Sequence, residues 1–320
     1  MGYLLSDIKG KITKEEDITY DEAKVLLSID LDDLFNIAED IRKQFFKNKV
    51  ELCGIINAKS GLCSENCRYC AQSVHYNTNV DNYPLLDKDT ILEKAKKTEE
   101  TGVKCFSIVT SGNSLSSDEF KNVYDVFKVL RRETDLVLAA SLGSISYIQA
   151  FTLRQIGVTR YHHNIETSKS FYPKICSTHT YEDRIKTIRN VKCAGFEVCS
   201  GGIIGMGESE LERLEMAIEL KNLKVNSIPI NILNPIKGTP LENVKKLSSE
   251  EILKTISIFR IINPKAYIRL AAGRSQLNDK QEASFKAGIN GIMIGNFLTT
   301  LGNDILEDKK MLNELGYVFK

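Results

Sequence analysis

Apolar positions along the chain follow two regimes. Over 19–49 they recur at helical spacing: Leu31, Leu34, Ile37 and Ile41 mark one face of LDDLFNIAEDIRKQFFKNK, which closes on a basic end. Beyond Val50 short apolar runs alternate with amphipathic stretches. The runs 52–56, 105–109, 136–140, 160–165, 198–204, 227–233, 267–270 and 291–294 predict strands, and 90–101, 118–133, 146–156, 181–194, 208–222, 249–261 and 280–287 predict helices. Strand–helix units of this size predict a parallel sheet, and eight of them close most economically into an α/β fold of the (β/α)8 TIM type, with a doubly wound open sheet as the alternative. The expected organisation is an N-terminal helical extension over 1–48, the barrel over 49–298, and a C-terminal tail over 299–320 with one short helix.

Charge narrows the partners. Lys plus Arg number 43 against 42 for Asp plus Glu, a net of +1, so nothing in the composition favours nucleic acid or an anionic membrane surface. No apolar run approaches 18 residues and the N-terminus lacks the apolar core of a signal peptide, which predicts a cytoplasmic protein acting on small molecules. In a reducing compartment its eight cysteines read as metal ligands and packing residues rather than as disulfides.

The chemistry concentrates in NAKSGLCSENCRYCAQ, 57–72, directly after the first predicted strand, where barrel enzymes carry their βα loops. Cys63, Cys67 and Cys70 have the spacing C-x3-C-x2-C, and a loop this short can turn three sulfurs inward. Three thiolates fit a closed zinc site poorly and an iron–sulfur cluster with one open iron well. Further along, CSGGIIGMGE from Cys199 to Glu208 sets glycines, Gly201 and Gly202 among them, into an apolar strand; either strand packing or a ligand approaching the backbone explains them. By period-two alternation YHHNIETS puts His162, Asn164 and Glu166 on one strand face and His163 and Ile165 on the other. Asn231 lies in an apolar strand with an amide suited to a urea-like group, Arg269 lies inside another strand where a buried cation needs an anion, and Arg184 sits near a helix start.

With Tyr69 before its last cysteine, the loop resembles the signature of the radical S-adenosylmethionine enzymes. The ordered set NAKSG-C-x3-C-x2-C-AQS, N-x-x-TS, HTY-x-DR, CSGG-x-x-G-x-GE, PIN, GTPLE and R-x-x-x-GR resembles the biotin synthase family from about Lys49 onward. The resemblance implies a 4Fe-4S cluster on Cys63, Cys67 and Cys70, with S-adenosyl-L-methionine chelating its fourth iron and giving a 5'-deoxyadenosyl radical. It implies sulfur insertion into dethiobiotin from a second, sacrificial cluster. Tyr69, Gly201, Gly202, Glu166 and Arg184 would then bind the cofactor, and Asn164, Asn231 and His162 the substrate. A flavodoxin or ferredoxin donor and a homodimer are implied as well.

The chain departs from the family at the second cluster. Of the usual three cysteines and one arginine holding 2Fe-2S, Cys199 and Arg269 match, while Ser107 and Ala139 occupy the other two positions. Cys105 precedes Ser107 by two residues, on the same strand face and about 7 Å along it, and Cys53 lies on the first strand. The expectation is an auxiliary cluster on Cys53, Cys105, Cys199 and Arg269, of 4Fe rather than 2Fe-2S type. His162 and Glu166 replace the usual Asn and Asp. Rival readings are a biotin-synthase-like mutase or maturation enzyme without sulfur insertion, and a non-catalytic iron–sulfur scaffold or sensor.

Overall fold

The computed structural model describes residues 2–295 and 305–319. Three helices, α1 (Gly2–Thr13), α2 (Tyr20–Val25) and α3 (Leu31–Phe46), precede the first strand. Strands β1 (Lys49–Lys59), β2 (Cys105–Thr110), β3 (Val137–Ser141), β4 (Val158–His162), β5 (Glu197–Cys199), β6 (Gly202–Ile204), β7 (Ser227–Ile232), β8 (Tyr267–Leu270) and β9 (Gly291–Ile294) then alternate with α4 (Lys88–Glu100), α5 (Ser117–Glu133), α6 (Tyr147–Gln155), α7 (Tyr181–Cys193), α8 (Glu210–Asn222), α9 (Ser249–Ile262) and α10 (Ala283–Lys286). All these strand pairs are parallel, and β9 returns to β1 with Glu51 opposite Gly291 and Gly54 opposite Ile294. That pairing closes the barrel and excludes the open sheet.

Local sequence explains where the helices begin. Ser116 with Glu119, Ser146 with Gln149, Thr180 with Asp183, Ser209 with Glu212 and Ser248 with Glu251 each form a reciprocal capping box. Each box satisfies two amide donors that the first turn leaves without partners. Five βα loops therefore end at defined points, which fixes the rim on which a site is built.

Four expectations need correction. The run 198–204 is two short strands, β5 and β6, because the chain breaks at Ser200 and Gly201 before rejoining β7. The run 160–165 stops at His162; His163 N–H donates to Cys199 O, and Glu166 turns into left-handed backbone at φ 69°. The helix expected over 280–287 is a 3-10 segment, Arg274–Lys280, kinked at Asn278, followed by the one-turn α10. The tail holds the expected helix, α11 (Ile305–Glu314), and adds β10 (Val318–Phe319), parallel to the start of β1 through Lys49–Val318 and Val50–Phe319. The expected boundary between 298 and 299 lies outside the described residues. Among those described, no helix is long and apolar enough to cross a membrane.

Candidate functional site

The loop after β1 is held by its own backbone and by the β4–α7 segment. Cys63 N–H donates to Gln72 O, Val74 N–H returns to Cys63 O, and Cys70 N–H donates to Cys67 O. Asn66 anchors the far side: its Nδ2 donates to Ser177 Oγ at 2.7 Å, and its Oδ1 accepts from Ser177 N at 3.0 Å and Thr178 N at 3.3 Å. Arg68 N–H donates to Ile175 O. Cys63, Cys67 and Cys70 thus all face one cavity of about 370 Å³, a size suited to a small-molecule ligand. Burial pushes the Cys70 thiol up to about 11. A cationic metal centre is what would favour its thiolate.

The same cavity is lined by Tyr69, His162, Asn164, Glu166, Arg184, Asn231, Cys53, Cys199 and Arg269. Arg184 Nη1 meets Glu166 Oε1 at 3.3 Å and donates to Asn164 O at 3.0 Å. Asn164 Oδ1 accepts from Gly201 N at 3.0 Å and its Nδ2 donates to Glu166 Oε2 at 3.3 Å. Asn231 spans two strands, with Nδ2 donating to Gly202 O at 3.1 Å and Oδ1 accepting from Ala272 N at 3.2 Å. Each amide keeps one donor hydrogen and one lone pair for a ligand. The sequence reading put His163 on the opposite face from His162, yet His163 lines the cavity too, because the strand has already ended.

Two further readings change. Gly201 and Gly202 do not line the cavity. A Cβ on Gly201 would sit 2.0 Å from Pro229 O, and one on Gly202 2.3 Å from Glu166 O and 2.5 Å from Met216 Sδ. Close packing is by itself enough to require glycine at both positions. The ring of His162 faces a thiol, with Nδ1 3.4 Å from Cys199 Sγ, instead of standing free for a substrate. Burial, with Arg184 nearby, holds this imidazole down to about 4, so it is neutral at pH 7.

A second thiol group lies deeper. Cys53 and Cys105 are register partners on β1 and β2, and their sulfurs are 3.0 Å apart beside Ala139. Cys105 is 1% exposed and does not line the cavity; its sulfur stands beside that of Cys53 on the neighbouring strand. Of this pair Cys105 gives up its proton first, because Cys53 donates to it and Arg160 Nη1 lies 3.6 Å away. Burial pushes Cys199 up to about 11. Below the thiols, Glu51 chelates Arg160 at 3.1 and 3.2 Å and also meets Arg269, while Glu197 takes Arg160 Nη2 at 3.1 Å. Arg269 Nε donates to Ser227 Oγ at 2.6 Å, and its Nη1 has no hydrogen-bond partner. Arg160, with Nη1 3.6 Å from Cys105 Sγ and Nε without a hydrogen-bond partner, is the cation beside the thiols, and with Arg269 on the same cavity wall it fits an anionic sulfur-rich group.

The sequence reading missed Arg160, Glu51, Cys176 and His179 as parts of the site. Cys176 Sγ and His179 Nε2 lie 3.7 and 3.4 Å from Cys67 Sγ. Their signal was a cysteine and a histidine three apart in ICSTH, and for Arg160 an arginine inside a strand, the same signal that singled out Arg269.

The Radical SAM superfamily matches residues 59–220, and the Biotin and Thiamin Synthesis associated domain matches 229–318. The chain is 52% identical to the biotin synthase of Acetivibrio thermocellus over 98% of each chain, and 50% identical to that of Clostridioides difficile over 97% of each. Among solved structures it resembles methylornithine synthase, with a TM-score of 0.84 at 20% identity over 98% of this chain and 97% of that one. A similar likeness, TM-score 0.84 at 17% identity over 99% and 79%, links it to the FeFe-hydrogenase maturase of Carboxydothermus hydrogenoformans. At such identities these two structures speak for the fold alone.

Proposed function

The chain belongs to the biotin synthase family of radical S-adenosylmethionine enzymes, and we propose that it inserts sulfur into dethiobiotin using a remodelled sulfur-donor site on Cys53, Cys105 and Cys199. When bound, the loop cluster with S-adenosyl-L-methionine supplies a radical able to take hydrogen from unactivated carbon, and an auxiliary cluster supplies the sulfide. Cys63, Cys67 and Cys70 hold the first cluster. Arg184 and Glu166 orient the cosubstrate beside it, Arg184 offering its guanidinium to a carboxylate. Tyr69 packs at the same cluster, and the unspent amide groups of Asn164 and Asn231 hold the ureido ring.

The auxiliary group is a 4Fe-type cluster on Cys53, Cys105 and Cys199, with Arg269 beside it and Ala139 closing off the usual 2Fe-2S arrangement. His162, with its ring turned toward Cys199, would stand at this cluster. Helices α1–α3 before the barrel, and α11 with β10 after it, brace the barrel from outside. The enzyme works in the cytoplasm as a homodimer, reduced by a flavodoxin or ferredoxin.

The observation carrying this reading is the pair of thiol groups at two depths of one cavity, with amides and an Arg–Glu pair between them. Its test is anaerobic reconstitution, counting iron and sulfide per chain alongside Mössbauer spectra and biotin formation. Two clusters in the parent, with the second lost together with biotin in a Cys53→Ala, Cys105→Ala double variant, is the expected result. One 4Fe-4S cluster in both proteins would overturn the donor site.

A further inference from the structure

An unbroken hydrogen-bond chain joins Arg184 to the middle cysteine of the loop. Arg184 Nε donates to Tyr172 Oη at 2.7 Å, and Tyr172 Oη stands 2.7 Å from His179 Nδ1. His179 Nε2 faces Cys67 Sγ at 3.4 Å. The protons can be placed by elimination. Arginine only donates, so Tyr172 accepts from it, and with no other acceptor bonded to the hydroxyl among the described residues its one hydrogen is directed at His179 Nδ1. Burial pushes the Tyr172 phenol up, so that hydrogen stays in place. A neutral imidazole that accepts at Nδ1 carries its hydrogen on Nε2, the atom aimed at the Cys67 sulfur.

The surroundings favour the same direction. The His179 side chain is 7% exposed, and Glu65 Oε2, buried and without a hydrogen-bond partner, lies 3.9 Å from Nε2 on the Cys67 side. With Cys176 Sγ in the same cluster, three electron-rich atoms therefore gather at one N–H.

We propose that His179 is a positioning residue for the loop cluster: its Nε2–H, aligned from the cosubstrate side through Tyr172 and Arg184, donates a hydrogen bond to the Cys67 thiolate and raises the cluster's reduction potential. This rests on reading Cys63, Cys67 and Cys70 as cluster ligands. A donor to a ligating sulfur withdraws charge from the iron and stabilises the reduced, more negative state. One charge-assisted hydrogen bond corresponds to about a tenfold change in the ratio of reduced to oxidised cluster at fixed potential.

The test is a redox titration of the reconstituted holoenzyme, followed by electron paramagnetic resonance, for the parent, His179→Leu, His179→Gln and Tyr172→Phe, with iron and sulfide counted in each. At a fixed potential His179→Leu should lower the reduced-to-oxidised ratio about tenfold and Tyr172→Phe by a smaller factor. The side-chain amide of His179→Gln should restore it in part, and iron and sulfide should stay at the parent level. Should Leu at 179 prevent folding, Tyr172→Phe carries the test alone. Unchanged ratios in His179→Leu and Tyr172→Phe would overturn the proposal. So would loss of iron from His179→Leu while Tyr172→Phe matches the parent, since His179 would then be a ligand. A parent that assembles no loop cluster would fail the reading of the three cysteines, and this inference with it.

Discussion

Replacing Glu51 by Gln keeps the side chain's shape and removes the charge that both buried guanidinium groups share. Arg160 and Arg269 are 7% and 2% exposed, and the remaining carboxylate, that of Glu197, is 54% exposed. Breaking a buried ion pair costs about 3–5 kcal/mol because the surviving charge stays desolvated. The Glu51 side chain is 21% exposed, so water screens part of this, and about 2–4 kcal/mol is the expected loss in the metal-free protein. With a urea dependence of about 3 kcal/mol per M for a chain of this size, the midpoint should fall by about 1 M. On the proposed donor site the reconstituted protein should behave differently, because an anionic cluster on Cys53, Cys105 and Cys199 would supply the charge that Gln lacks. The gap between variant and parent should shrink to under half its metal-free size, measured by anaerobic urea and thermal unfolding of both forms. A metal-free loss below about 1 kcal/mol would refute the electrostatic reasoning. An undiminished gap after reconstitution would refute the anionic group beside the arginines.

Gly201→Ala would put a methyl group 2.0 Å from Pro229 O, and we expect loss of soluble protein or a stability drop of more than about 3 kcal/mol, read by expression and urea unfolding. Glu166→Gly relieves the left-handed backbone at φ 69° but strands the buried Arg184, so we expect a net stability loss of about 1–3 kcal/mol by urea unfolding, together with S-adenosylmethionine binding weakened at least about tenfold by calorimetry. Asp308→Asn strands Arg274, its 2.5 Å partner and 1% exposed, and should cost about 3–5 kcal/mol by urea unfolding, with the pair Arg274→Met, Asp308→Leu recovering much of it. Arg260, which donates to four backbone carbonyls and Asn290 from a fully buried position, should tolerate Leu no better than Asp308 tolerates Asn, by the same measurement.

How much of this was legible in the sequence depends on how local each determinant is. Strand and helix periods, capping boxes and the C-x3-C-x2-C loop are set by residues a few positions apart, and the barrel and its loop follow from them. For Gly201 and Gly202 the sequence left packing and a ligand as alternatives, because the backbone they press against, Pro229 and Glu166, lies on other segments. The departure of His162 toward Cys199 depends on the register of β4 with β5, which no single strand records. His179 reaches Cys67 only because Asn66 fastens the loop to 177–178, a contact between segments more than a hundred positions apart. Two-residue β10 carries too little pattern to be read at all.

The closure of β1 on β9 also orders events in time. Strand β1 is made early, yet its partner across Glu51–Gly291 is some 240 residues away, so the first strand gains its second neighbour only when nearly the whole chain exists. Until then the three-thiol loop hangs from a half-paired strand, and Cys53 has no finished floor to stand on. A nascent or partly unfolded chain thus exposes its cysteines to oxidants and adventitious metals before the barrel that gathers them has closed.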